Sequence, residues 1–324
     1  MEKLKIAGYW ASSCGGCEIA TLEIGDKILK LAEAADIVFW PALVDFKYHD
    51  VEQMVDNSID VCLFNGAIQN SEHEHIAKLL RAKSKIMVAY GSCSYEGCIP
   101  GLANLTNREG IFHRAYIETP STDNPNQTLP QTSYQMPEGK LTLPELYDTV
   151  KTLAQTVEVD YFVPGCPPVG KQTWAVLEAI VQGNLPPRGS VIGAGTRALC
   201  EECPKTRENK KVKAFYRPHE IIPDPEKCLL EQGLLCAGIA TREGCGALCP
   251  RANMPCTGCY GPPEGVVDQG ARFLSAVASI LGVEDEKELS EEDVENLMSQ
   301  IKDPVGTFYR YSLADSILRR ARIK

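Results

Sequence analysis

Cysteines placed directly after hydrophobic strands are the feature that most limits how this 324-residue chain can fold. The first apolar run, Leu4–Trp10, leads to Cys14 and Cys17, and the two glycines between these cysteines allow a tight backbone turn. Apolar residues then recur at helical spacing over residues 19–34. The sequence therefore predicts that both thiols lie on a turn between a strand and a helix.

Two further cysteines follow predicted strands in the same way. Cys93 comes after the apolar residues 86–90, and Cys166 comes after residues 161–163. Because parallel strands end at the same edge of a sheet, these thiols and those of Cys14 and Cys17 are expected to meet there. Open α/β sheets bind their ligands at this edge. Four convergent cysteine thiolates are what an iron–sulfur cluster requires.

The order of the segments predicts a flavodoxin-like doubly wound parallel sheet. The predicted strands are residues 4–10, 36–40, 59–64, 86–90 and 161–163. The predicted helices are residues 19–34, 71–82, 144–157 and 170–181. Residues 99–141 include a polar, turn-rich stretch and are expected to form a surface insertion. Prolines and a glycine at residues 186–189 predict a boundary between domains 1–187 and 188–324.

Beyond that boundary the chain becomes rich in cysteine. The eight cysteines are Cys200, Cys203, Cys228, Cys236, Cys245, Cys249, Cys256 and Cys259. Glycine and proline are frequent here and strand-like alternation is absent, so we expect metal clusters rather than side chains to form the core. Helices are predicted again at residues 266–281 and 305–317, which gives a smaller, loop-rich and helical domain.

Composition limits the partners and the compartment. The chain has 33 basic and 43 acidic residues and a net charge of −10, which argues against nucleic acid or an anionic membrane as a partner. No apolar run approaches the roughly 18 residues of a membrane span. The sequence begins directly with a strand, without a leader pattern, so a cytoplasmic location is expected. In a reducing compartment, 14 cysteines favour metal ligands over disulfides.

Both halves together resemble a known family. The cysteine pair at residues 14–17, the Gly-Ser-Cys of residues 91–93 and the Gly-Cys-Pro-Pro of residues 165–168 are similar to the small subunit of nickel–iron hydrogenases. Residues 255–261, 267–271 and 303–309 most resemble its cytoplasmic methyl-viologen-reducing, deazaflavin-nonreducing branch, which is associated with heterodisulfide reductase. The resemblance covers nearly the whole chain.

The resemblance implies three [4Fe–4S] clusters and their ligands. The proximal cluster, nearest the nickel–iron centre, would be held by Cys14, Cys17, Cys93 and Cys166. The medial cluster would be held by Cys245, Cys249, Cys256 and Cys259. The distal cluster would be held by Cys200, Cys203, Cys228 and Cys236. Many relatives hold three irons at the medial position, and Cys249 offers the fourth thiolate here.

The resemblance also implies a division of labour. The nickel–iron centre would belong to a partner large subunit, and this chain would hold no catalytic residue and show no turnover alone. Electrons from H2 would pass through the three clusters to an acceptor protein. The implied acceptor is a [2Fe–2S] protein linked to heterodisulfide reductase. A pyridine-nucleotide or deazaflavin enzyme is the other acceptor that the resemblance allows.

Three residues and two other functions complete the predictions. Cys62 is expected to be a buried thiol. Cys98 is expected to pack beside the proximal cluster, or to exchange with Cys93 on oxidation. Asp45 is a reserve ligand of that cluster. The first alternative function is a quinone-reductase-type iron–sulfur subunit, which shares the sheet and the Gly-Cys-Pro-Pro turn. The second is a non-catalytic zinc or iron–sulfur interaction module.

Overall fold

The chain folds around a six-stranded parallel sheet in the computed structural model, which describes residues 3–281 and 290–319. The ten strands of the described residues are β1 Leu4–Trp10, β2 Ala35–Phe39, β3 Ile59–Asn65, β4 Ile68–Asn70, β5 Ser84–Tyr90, β6 Ser133–Met136, β7 Gly139–Thr142, β8 Leu146–Lys151, β9 Tyr161–Val163 and β10 Ser190–Val191. The order across the main sheet is β10-β9-β5-β3-β1-β2, and every neighbouring pair is parallel.

Helices cover both faces of this sheet. The α-helices of the described residues are α1 Gly16–Leu22, α2 Lys27–Ala34, α3 Tyr48–Gln53, α4 Ser71–Lys83, α5 Ser92–Glu96, α6 Cys98–Gly101, α7 Arg108–His113, α8 Gly170–Gln182, α9 Leu248–Arg251, α10 Gln269–Ile280, α11 Glu291–Ser299 and α12 Pro304–Phe308. One apolar core joins the sheet to α1, α2 and α8, and a second joins it to α3 and α4. The predicted doubly wound, flavodoxin-like fold is confirmed.

Two of the predicted boundaries differ in detail. The helix expected over residues 19–34 is two helices, because Gly25 has a φ of 66° and interrupts the helical path between them. The main sheet has six strands rather than five. The extra strand, β10, is two residues long and so carries no periodic pattern. It lies just beyond the predicted boundary at residue 187, and the division into two domains stays a prediction.

The helix predicted for residues 144–157 is wrong. Residues 146–151 form β8, which pairs antiparallel with β4. The Asn104 side chain fixes this strand from its other side, since its amide donates to the Val150 carbonyl (2.9 Å) and its carbonyl accepts the Val150 N–H (2.7 Å). These partners are distant in sequence, so a local helical pattern gives no indication of them.

The predicted surface insertion is confirmed over most of its length. It contains α6, α7 and the hairpin of β6 and β7, whose eight residues are all exposed. After the insertion the chain forms β8, which pairs with β4 in a separate two-stranded sheet. The insertion therefore lies outside the main sheet and adds no strand to it.

The cysteine-rich half is loop-rich, as predicted, but it also has an apolar core. Val212, Phe215 and the α10 residues Phe273 and Val277 are buried together with Phe308 of α12. The expectation that metal clusters alone would replace such a core is therefore wrong. The segments that follow the last cysteine supply many of the buried side chains, and the sequence pattern treats those segments as separate from the cysteine-rich stretch.

The C-terminal segment packs back against the flavodoxin-like part of the chain. The predicted helix over residues 305–317 ends at Phe308, because the later carbonyls bond elsewhere: the Tyr311 carbonyl accepts the Cys98 N–H (2.8 Å) and the Ala314 carbonyl accepts the Gln155 side chain (2.8 Å). Within the described part of the chain, none of the helices has the length and apolar character that a membrane crossing requires.

Candidate iron–sulfur sites

Cys14 and Cys17 lie on the turn that joins β1 to α1. Gly15 begins the helix with a φ of 80°, a left-handed conformation that favours glycine, and the Trp10 ring occupies the position that a Cβ would take. The turn leaves Cys14 exposed and buries Cys17 in the first turn of the helix. The predicted placement of these two cysteines between a strand and a helix is confirmed.

Cys93 and Cys166 reach the same edge of the sheet from β5 and β9. Gly91 lies between β5 and Cys93, and a Cβ at that position would lie 2.3 Å from the Cys17 Sγ. Only glycine therefore allows the β5 turn to pack against the Cys17 thiol. Burial raises the pKa of Cys17, and the nearby thiols of Cys166 and Cys14 raise it further.

A fifth thiol belongs to this group. Cys98 is fully buried, and its Sγ lies 3.7 Å from the Sγ of Cys166. The contact with Cys166 lowers the pKa of Cys98, but the Cys93 thiol and burial outweigh this contact, so the pKa is raised. The sequence expectation that Cys98 packs beside the proximal ligands is in line with this geometry. Cys62 is also fully buried, as predicted, and it lies within β3.

The four cysteines of the predicted distal set line one cavity. These are Cys200, Cys203, Cys228 and Cys236. Burial raises the pKa of Cys200 to about 12, with smaller contributions from the other three thiols. Lys205 and Arg207 line the same cavity, so two cationic side chains border the thiols.

The predicted medial set also forms a cluster of thiols. Burial raises the pKa of Cys259 to about 12, and the neighbouring thiols of Cys245 and Cys249 contribute. Cys256 is buried beside Cys259, and its Sγ lies 3.6 Å from the hydroxyl of Thr241. Cys249 is the exposed member of the set.

Neighbouring sets touch each other. The Ser92 hydroxyl, next to the proximal Cys93, donates to the Cys259 carbonyl (2.5 Å), and the nearby backbone of Cys166 partly offsets the rise in the pKa of Cys259. On the other side, the N–H of Cys256 donates to the Sγ of Cys236 (3.3 Å). The three groups therefore form a series in which the medial set stands between the other two.

The donor chemistry of the three sets fits iron–sulfur clusters. Among the described residues, no group of three or more histidine, cysteine, aspartate or glutamate side chains is placed to hold a single metal ion. The four distal thiols instead line a single cavity. Clusters are bound by cysteine thiolates that attach to different irons, so their ligands stand around a body larger than one ion.

Comparison with known proteins identifies the family. Residues 14–180 match the family model described as NADH ubiquinone oxidoreductase, 20 Kd subunit. The iron–sulfur subunit of the F420-non-reducing hydrogenase of Archaeoglobus profundus is 44% identical over an alignment of 333 positions, which covers 99% of each chain. A subunit of the F420-non-reducing hydrogenase of Methanothermobacter marburgensis is 36% identical and covers 98% of this chain and 96% of the relative. This chain belongs to the family of F420-non-reducing hydrogenase iron–sulfur subunits.

A solved hydrogenase shares the fold. The [NiFeSe] hydrogenase of Desulfovibrio vulgaris Hildenborough matches with a TM-score of 0.50 and 15% identity, over 82% of this chain and 95% of that one. At this identity the likeness establishes the fold alone. It agrees with the flavodoxin-like sheet described above.

Membership of this family has direct consequences for the chain. It is the small, electron-transfer subunit of a hydrogenase, an oxidoreductase acting on H2. The family implies iron–sulfur clusters in this chain and a nickel–iron centre in a large-subunit partner. The predicted hydrogenase small subunit is therefore confirmed, while the number of clusters and the ligand of each iron stay predictions.

Some residues of the site have no signal in the sequence. The carboxylate of Glu202 binds the loop that carries Cys245, and nothing in the sequence singles this residue out. Ser92 belongs to the Gly-Ser-Cys motif, but the motif does not indicate that its hydroxyl binds the Cys259 loop. Asp45, the reserve ligand expected from the sequence, has a side chain that is 88% exposed and forms an ion pair with Lys47. The hydrogen bond from Lys47 lowers the pKa of Asp45.

Proposed function

We propose that this chain passes electrons from a hydrogenase large subunit, where H2 is oxidised, through three [4Fe–4S] clusters to a cytoplasmic acceptor. When bound, each cluster takes up and gives up one electron at a time. The observation that carries the proposal is the series of touching thiol sets. Ser92, next to the proximal Cys93, donates to the Cys259 carbonyl, and the Cys256 N–H donates to the Cys236 Sγ, so ligands of successive clusters would be close neighbours.

In this proposal each thiol set holds one cluster. The proximal ligands are Cys14, Cys17, Cys93 and Cys166. The medial ligands are Cys245, Cys249, Cys256 and Cys259. The distal ligands are Cys200, Cys203, Cys228 and Cys236. Buried apolar residues, among them Leu199 and Ala247, fill the space between the medial and distal thiols. They exclude water from the region between the two sets.

The large subunit is proposed to cover the sheet edge that carries the proximal thiols. Apolar side chains are exposed around this edge, notably Trp10 at the end of β1, Ile19 and Leu22 on α1, and Ile99 after Cys98. Contiguous exposed apolar surface marks an interaction site. We expect an obligate interface of roughly 2,000–5,000 Å² and an isolated chain that is unstable and consumes no H2.

The acceptor is proposed to dock at the other end of the series. The distal cavity is bordered by Lys205 and Arg207, so an acidic surface would suit it. We propose a [2Fe–2S] protein linked to heterodisulfide reductase as this acceptor. We also propose a cytoplasmic location, because all fourteen cysteines are free of disulfides and a reducing compartment keeps them so.

Metal analysis of the anaerobically purified hydrogenase complex tests the proposal. We expect about twelve irons in addition to those of the partner subunits, and essentially no zinc, since three sets of four thiolates hold four irons each. About four irons, or one stoichiometric zinc, would contradict the assignment of the cysteine-rich half. A strong three-iron signal in the oxidised complex would argue against Cys249 as a ligand.

A quinone-reductase-type function is the second candidate. It is favoured by one observation, the match of residues 14–180 to the 20 Kd subunit model. That match ends before Cys200, so it leaves out the eight cysteines of the second half. Reduction of a quinone by the purified complex, with no H2 uptake, would favour this candidate over the hydrogenase relay.

A further inference from the structure

The carboxylate of Glu202 occupies the inside of the loop that carries Cys245. Its Oε1 accepts hydrogen bonds from the backbone N–H groups of Gly244 (3.0 Å), Gly246 (3.1 Å) and Ala247 (3.2 Å). The same oxygen lies 3.9 Å from the Cys245 Sγ. The Glu202 carboxylate therefore accepts hydrogen bonds from three of the backbone amides around Cys245.

The loop needs such an anion to keep its shape. Gly246 and Ala247 have φ values of 74° and 50°, and the left-handed conformation of Ala247 is unfavourable for a residue with a Cβ. Consecutive amides in this arrangement point towards one position and attract an anion. The carboxylate of Glu202 satisfies them, so it offsets the strain at Ala247 and fixes the direction of the Cys245 side chain.

Glu202 also connects two thiol sets. It directly precedes Cys203 of the distal set in the chain, while its side chain reaches the medial cysteine Cys245. Its neighbour Glu201 is exposed and lies 3.9 Å from Arg207 across a surface ion pair. Two adjacent glutamates thus have different environments, and only the second reaches a cysteine loop.

We propose that Glu202 is the positioning residue of the Cys245 loop, holding the Cys245 thiol towards the medial set and keeping a negative charge beside it. This inference rests on the proposed function in so far as the medial set holds a cluster. The carboxylate acts through the loop amides and is not a ligand. A negative charge beside the cluster disfavours the reduced, more negative form, so it lowers the reduction potential of the medial cluster.

Three variants of the hydrogenase complex test the proposal. Glu202→Gln keeps an oxygen acceptor and removes the charge, Glu202→Ala removes both, and Glu201→Gln is the matched control at the neighbouring position. Hydrogen exchange at residues 244–249 reports the loop, and metal analysis reports its cluster. Redox titration followed by EPR reports the potential of the medial cluster separately from the other two.

We expect Glu202→Gln to retain its iron and to shift the medial potential upwards, with a smaller upward shift of the distal potential and no change in the proximal potential. In Glu202→Ala we expect roughly tenfold faster exchange over residues 244–249, because hydrogen bonds to a charged group are lost. We also expect loss of up to about four irons in that variant. Glu201→Gln should match the wild type in all three measurements.

The proposal is overturned if both Glu202 variants behave as Glu201→Gln does. If Glu202→Ala fails to assemble, Glu202→Gln decides, since an unchanged medial potential in that variant contradicts the role of the charge. If the wild type itself holds no medial cluster, the proposed function fails. The exchange rates over residues 244–249 then still test whether Glu202 holds the loop.

Discussion

The surroundings of Cys98 leave two possible sets of ligands for the proximal cluster. Cys98 is fully buried beside Cys93 and Cys166, and its own φ of 46° lies in the left-handed region that favours glycine. A fifth thiol beside a four-ligand site is either a neighbour or a replacement for one of the ligands. The Sγ of Cys98 lies 3.7 Å from that of Cys166, which is close enough for either role.

We predict that Cys98→Gly leaves the proximal cluster and the anaerobic hydrogenase activity nearly unchanged. The loss of a buried sulfur, about 1 kcal/mol, is offset by relief of the left-handed backbone, also about 1 kcal/mol. Iron content and the EPR signal of the proximal cluster in the anaerobic complex measure the outcome. Cys62→Ala is the matched control for loss of a buried thiol away from the clusters.

A loss of the proximal signal in Cys98→Gly, with a normal signal in Cys62→Ala, would make Cys98 a ligand and reopen the assignment of Cys93. The sequence correctly predicts that Cys14, Cys17, Cys93 and Cys166 follow strands, because the apolar pattern of each strand is local. It does not predict the role of Gly91, whose missing Cβ admits the Cys17 thiol. That requirement depends on two turns that are distant in sequence.

At the scale of elements, β8 is held by an ion-pair network that joins it to α4. Glu74 of α4 pairs with Lys78 one turn later (2.6 Å) and with Lys151 at the end of β8 (3.3 Å). The hydrogen bond from Lys78 is the main cause that lowers the pKa of Glu74 to about 2, and Lys151 contributes. This pairing helps to explain why residues 146–151 form a strand where the local pattern favours a helix.

We predict that Glu74→Gln destabilises the protein near neutral pH by about 1–2 kcal/mol. The folded-state pKa is below that of the unfolded chain, so the stabilisation is present above about pH 4.5 and is lost as the pH falls towards 2. Melting temperatures of the anaerobic complex between pH 7 and about pH 3.5 measure this. The difference in melting temperature between the wild type and Glu74→Gln should become smaller as the pH is lowered.

The exposed Glu138 in the hairpin turn provides the control, since Glu138→Gln removes the same charge from the insertion. If the difference in melting temperature between the wild type and Glu74→Gln stays constant with pH, the network does not stabilise β8 through ionisation. The helical prediction for residues 144–157 fails for the same physical reason. Its decisive partners, Glu74 and Asn104, lie on other elements, and a window of sequence does not contain them.

At the scale of the whole molecule, the two halves are tied together at the place where the proximal and medial thiols meet. Ser92 of α5 bonds to Cys259, and the hydroxyl of Tyr260 donates to Gln172 of α8 (2.6 Å). The fold class follows from the order of strands and helices, which is local information. The contact between the halves is not local, and it is what sets the order of the thiol sets.

This order predicts different consequences for variants at the two ends of the series. Cys228→Ser removes a distal thiolate far from the surface proposed for the large subunit, so exchange of H2 with deuterated water should stay close to the wild-type rate. Electron delivery to the physiological acceptor should fall at least about tenfold, because the last position of the series is impaired. Cys17→Ser, the control at the proximal end, should reduce delivery to every acceptor.

Both activities are measured on the same anaerobic complex, with methyl viologen as a small acceptor beside the protein acceptor. If Cys228→Ser loses H2 exchange and electron delivery to the same extent, Cys228 does not belong to a distal site and the proposed order of the thiol sets is wrong. If delivery to the protein acceptor is unchanged, electrons leave from another thiol set. The exposed Cys249 then makes the medial set the first place to examine, since it is the member of that set that partners can reach.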